Sequence, residues 1–68
     1  MAELKLTDSM FKNAEQPEID AFVAALAVEQ GGRWIPTSDG YAITGLSEKT
    51  VADLEDTIMD RIEDELGI

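Results

Sequence analysis

Asp53, Asp56, Asp60, Glu63 and Asp64 recur at steps of three, four, three and one, the spacing that stacks side chains along one side of a helix. Between Glu48 and Glu65 eight acids (these five with Glu48, Glu55 and Glu65) face only two cations, Lys49 and Arg61, so the segment carries −6 of the chain's net −10. The chemistry open to such a row is electrostatic. The chain has no histidine and no cysteine, so the commonest general base, the usual zinc ligand and the thiolate nucleophile are all missing. Ser38, Thr37 and Asp39 suggest a nucleophile, but no base exists to activate it. An enzyme is not expected, and no cofactor or metal is implied.

Successive turns of a helix rise about 5.4 Å, and one strand of a duplex advances ~3.4 Å per phosphate. A carboxylate row therefore imitates a phosphate row in sign and approximate spacing, and a groove of Lys and Arg would accept it. An ordinary solvated helix face mixes signs and uses Glu-to-Lys pairs four residues apart. Here those cations are nearly absent. Glu63, Asp64 and Glu65 also crowd a helix C-terminus, where the dipole favours cations. A chain that accepts two unfavourable terms is read as using them. By contrast, Glu15, Glu18 and Asp20 fall at the start of a helix, where acids are welcome, and are read as structural.

Other readings of the acids and aromatics fail on detail. A calcium-binding EF-hand loop needs further acids before its glycine and a Glu six residues after it; around Gly40 only Asp39 is acidic, and Leu46 stands at the Glu position. Acyl carrier proteins share the size and charge, but they are all-helical bundles, and the chain offers Asp8-Ser9-Met10 and a central hairpin instead. Trp34 and Tyr41 could stack nucleobases only beside a positive groove, and Lys5, Lys12, Arg33, Lys49 and Arg61 are scattered. Direct nucleic-acid binding is not expected. Nor is a membrane partner: the longest apolar run, Ala21 to Val28, is far short of the ~20 residues that span a bilayer, and the charge opposes anionic lipid. The start lacks the basic and apolar regions of a signal peptide. The chain is read as a complete, short cytoplasmic product.

The elements that must position the row follow from periodicity. Sixty-eight residues make one small acidic domain, 1–68. Ala2 to Thr7 alternates, with Leu4 and Leu6 inward; Asp8-Ser9 breaks it, and Met10 and Phe11 anchor the connection. Asn13, with Gln16 in capping-box position, or Pro17 itself, opens a helix whose inner face is Ile19, Phe22, Val23 and Leu26 and whose stop is Gly31. Arg33–Thr37 and Tyr41–Thr44 form a hairpin ended by Gly45. Of a two-residue turn pairing Ile35 with Thr44 and a three-residue turn pairing Ile35 with Ile43 and Thr37 with Tyr41, the second is preferred because it puts both isoleucines on one face, opposite Trp34, Pro36 and Ala42. Pro36 marks an edge strand. Ser47 caps the last helix, Leu46 staples onto Val51, the inner stripe is Val51, Leu54, Ile58, Ile62 and Leu66 widened by Met59, and Gly67 ends it. The fold class is α+β: a three-stranded antiparallel sheet packed by two helices, in β-α-β-β-α order.

In this general character the chain resembles small phage-encoded inhibitors of host defence, the anti-CRISPR proteins and other DNA mimics. Asp53, Asp56, Asp60, Glu63 and Asp64, with Glu48 and Glu55 beside them, carry the likeness, and no motif is shared. The resemblance implies a basic nucleic-acid-binding host protein as partner, such as a component of a CRISPR surveillance complex, blocked where DNA or its adjacent motif docks. The expected function is thus a non-enzymatic inhibitor, monomeric or homodimeric, binding through the five-acid row aided by Glu48, Glu55 and Glu65. The alternative is a small adaptor or phage structural component whose acids only confer solubility.

Overall fold

The computed structural model describes residues 2–12 and 14–67. The order is β1 (Ala2–Thr7), a 3₁₀ turn (Asp8–Met10), α1 (Gln16–Gln30), β2 (Arg33–Thr37), β3 (Gly40–Leu46) and α2 (Glu48–Leu66). The three strands form one antiparallel sheet in the order β1-β3-β2. This is the β-α-β-β-α, α+β plan that the alternations and stripes require. Both helices pack on one face of the sheet, α2 over β1 and α1 over β2 and β3.

The core is what the patterns expose. Leu4 and Leu6 point inward from β1, and Tyr41 and Ile43 from β3. Ile19, Phe22, Val23 and Leu26 come from α1, and Val51, Leu54, Ile58 and Ile62 from α2. Phe11, in the connection after the 3₁₀ turn, is fully buried. Its ring meets those of Phe22 and Tyr41 edge to face at 6.0 and 6.3 Å, a favoured aromatic geometry. Met59 stays 40% exposed, on the flank of the stripe.

The helix ends are set by their caps. Ser47 Oγ accepts the Thr50 amide at 3.1 Å, satisfying one of the donors a helix start leaves free. Leu46 and Val51, the expected staple, are both buried. Gly31 and Gly67 close α1 and α2 in the left-handed conformation, which glycine alone adopts without penalty. The expected cap of α1, Asn13, lies outside the described residues. The helix itself starts at Gln16 with Pro17 in its first turn.

The hairpin differs from both registers considered above. Thr37 pairs with Gly40, Pro36 with Tyr41, Ile35 with Ala42 and Trp34 with Ile43, around a two-residue Ser38-Asp39 turn. Ile35 and Ile43 therefore lie on opposite faces. Trp34 and Pro36 share the helix side with Ile43, and Ile35 is 47% exposed on the open face beside Ala42. Gly40 explains the result. A Cβ there would stand 2.0 Å from the Leu6 carbonyl oxygen, so Gly40 is spent on the close approach of β3 to β1 rather than on the turn. Matching the two isoleucines underrated that contact. β2 is an edge strand, as Pro36 demands. Gly45 does not end the hairpin: β3 runs on to Leu46, and the β1–β3 register slips between Ala2 and Leu4.

A candidate acidic interface on the outer surface of the helix layer

α2 is amphipathic by construction, so the residues that its buried stripe leaves over must face outward. At about 100° per residue, Asp53, Asp56, Asp60, Glu63 and Asp64 fall within roughly 100° of arc, centred opposite Val51, Leu54, Ile58 and Ile62. All five are exposed. From Asp53 to Asp64 the axis advances about 16 Å, or ~4 Å per charge, close to the ~3.4 Å per charge of one nucleic-acid strand. The row is thus about half as long as the molecule's largest extent, 31 Å.

The row is not neutralised from within. Among the described residues the ion pairs are Lys5 with Glu3 at 4.0 Å, Arg61 with Glu29 at 2.7 Å and Arg61 with Glu65 at 3.6 Å. None involves a member of the row. Lys49, on the same outward side one turn before Asp53, also pairs with no acid within 4.0 Å.

The other three expected residues are not part of it. Glu48 and Glu55 are exposed on the flank of α2 turned away from α1. Glu65 lies at the angle of the buried stripe but past its last buried residue, Ile62, and Arg61 spans from it to Glu29 on α1. All three stand beside the five stacked acids and do not extend the row. Glu29 was missed because its partner is 32 residues away and visible only once α1 and α2 lie side by side. The Arg61 hydrogen bond and charge hold the Glu29 carboxyl below its usual range, and the same contact, with Glu65 adding to it, raises Arg61.

A second unforeseen cluster links α1 to the sheet. Tyr41 Oη donates to Asp20 Oδ1 at 2.7 Å, and Gln16 Nε2 donates to Asp20 Oδ1 at 2.9 Å and to the Tyr41 hydroxyl oxygen. The bond to Asp20, with burial behind it, raises the Tyr41 phenol above its ordinary range. Asp20 is therefore a tie between helix and hairpin, and Gln16 is committed to it.

The outer face of α1 is unlike that of α2. No charge lies between Asp20 and Glu29. Pro17, Ala21, Ala25 and Val28 are exposed, Val28 by 80%. The run Ala21 to Val28 puts small apolar side chains on this face. Glu65 and Leu66 of α2's last turn come beside the first half of α1. There a groove of about 360 Å³ has Ala21, Phe22, Ala25 and Leu66 for its apolar lining and Glu18 and Glu65 for its polar one.

Among the described residues no three acids converge closely enough to hold a metal ion, and no helix is long and apolar enough to cross a membrane. Compared with known proteins, the chain matches no family model, no curated protein and no solved structure, so no relative lends it a function.

Proposed function

We propose that this protein is a non-enzymatic inhibitor that occupies the basic nucleic-acid-binding groove of a partner protein, a component of a CRISPR surveillance complex being the partner class its character suggests. One observation carries the reading: five carboxylates stand exposed along about 16 Å of α2 with no cation of the described chain paired to any of them. Left alone, like charges three and four residues apart destabilise a helix, and acids near its C-terminus oppose the dipole. A cationic groove reverses both terms at once. Desolvated pairs with arginine add directional hydrogen bonds, and the net charge of −10 steers the encounter.

The row sets the terms of the test. Binding to a DNA- or RNA-handling complex is expected to weaken steeply between low and high salt. Changing Asp56, Asp60 and Asp64 together to Lys is expected to abolish it, while Glu48→Lys and Glu55→Lys, off the row, have smaller effects. A partner bound equally well by the triple variant would refute the mimic.

A further inference from the structure

Electrostatic attraction alone does not choose between one basic surface and another; shape must. We infer that α1's outer face is the second half of the same interface, seating the apolar side of an amphipathic helix of the partner while that helix turns its Lys and Arg side chains onto the α2 row. The inference rests on the row being a contact surface and adds what the row lacks, a site that discriminates.

The observations are these. Between Asp20 and Glu29 α1 is apolar on all sides, a pattern ordinarily covered on all sides, yet Val28 is 80% exposed and Ala21 and Ala25 are open beside it. Both outward faces belong to one layer, because both helices pack on the same side of the sheet. α1 is 15 residues long, about 22 Å, enough to carry several turns of a docked helix. The small side chains allow close approach of a second helix axis. The groove at α1's N-terminal end, with Phe22 and Leu66 on its floor and Glu18 and Glu65 beside it, suits a long cationic side chain that lays an aliphatic stem on apolar surface and a charged head on a carboxylate.

Charge selects the occupant. A second copy would bring another −10 and a second acidic row alongside the first, whereas a basic amphipathic helix satisfies both strips. Its anchors would follow the three-and-four spacing of helix-in-groove recognition.

The test uses the full chain and two synthetic probes of about five turns' length: a Leu/Lys peptide patterned for an amphipathic helix, and its scrambled sequence with the same charge. At about 0.15 M salt the patterned peptide is expected to bind about tenfold more tightly than the scrambled one. Ala25→Glu with Val28→Glu is expected to erase that preference even though it adds two acids, and Val28→Leu to keep it. Both sites are exposed, and circular dichroism checks that the fold survives. Equal binding of the two peptides, or an unchanged preference in the double Glu variant, overturns the inference while leaving the row's role intact. A dimer in solution that Val28→Glu dissociates also overturns it, by naming a second copy as the occupant. Asp56→Lys with Asp60→Lys tests the other half: it should weaken both peptides alike, and an unchanged affinity overturns the row reading instead.

Discussion

Asp60→Lys should make the protein more stable and its binding weaker, and the first effect can be worked from the helix. Asp60 has three acidic neighbours at helical contact spacing: Asp56 four residues before, Glu63 three after and Asp64 four after. Each like-charge pair costs about what an opposite pair gains, ~0.2–0.5 kcal/mol. Reversal therefore swings each by ~0.4–1 kcal/mol, and the three together by roughly 1–3 kcal/mol before screening. The positions are exposed, which favours the low end, about 1 kcal/mol. A domain of this size then melts about 4–8 °C higher. The assay is thermal unfolding by circular dichroism at low and high salt, with Glu55→Lys as control. That control makes the same change in net charge, but residues 51, 52, 58 and 59 around it are Val, Ala, Ile and Met, so it has no axial pair to reverse. The expected result is a gain for Asp60→Lys well above that of Glu55→Lys, shrinking as salt rises. Equal gains in the two variants would mean that only net charge matters and that the row is not a local concentration of repulsion. A loss for Asp60→Lys would mean that Asp60 already has a stabilising partner.

Phe11→Ala removes a fully buried ring packed on Phe22 and Tyr41 and should cost about 3–5 kcal/mol, a large share of the ~3–10 kcal/mol available to a chain of this length; chemical denaturation measures it. Ser47→Ala deletes the acceptor for the Thr50 amide and should cost about 1 kcal/mol, with amide exchange rising first at the start of α2. Tyr41 should ionise above free tyrosine, because its hydroxyl donates to Asp20 and is buried. A phenol whose folded pKa is raised contributes stability that is complete below the unfolded value near 10 and is lost as pH rises through the folded value. Asp20→Asn should lower the midpoint of a tyrosinate absorbance titration and narrow that loss.

Most of the fold was legible because each element announces itself locally. Leu4 and Leu6 alternate, Val51 to Ile62 repeats at three and four, and Ser47 and Gly67 bracket α2 with cap chemistry. The hairpin register was not legible. The turn residues Ser38, Asp39 and Gly40 allow several loops, and the choice is made by the collision a side chain at position 40 would have with the Leu6 carbonyl, a contact 34 residues distant. The acidic row was legible in its five stacked members, with Glu48 and Glu55 exposed on one flank of α2 and Glu65 held beside Arg61. The Arg61–Glu29 pair and the Gln16–Asp20–Tyr41 tie depend on elements meeting in space, so no local pattern signals them.

The division of labour between the helices explains how so small a body carries such a charge. α2 holds its inner stripe against β1 through Val51, Leu54, Ile58 and Ile62, all buried, and that burial outweighs the repulsion on its outer side: at ~25 cal/mol per Å², one buried Leu or Ile contributes about 1.5–3 kcal/mol, against the few tenths that each like-charge pair costs. α1 does the opposite, carrying no charge between Asp20 and Glu29. Repulsion is thus confined to one strip, and Arg61, the one cation of α2's C-terminal half, is spent on the seam with α1 rather than on quenching the row. Had solubility been the only demand on these acids, spreading them over both helices and pairing them with lysines would have met it at lower cost in stability. Segregation leaves one acidic strip and one apolar strip side by side, the arrangement that a basic amphipathic partner complements.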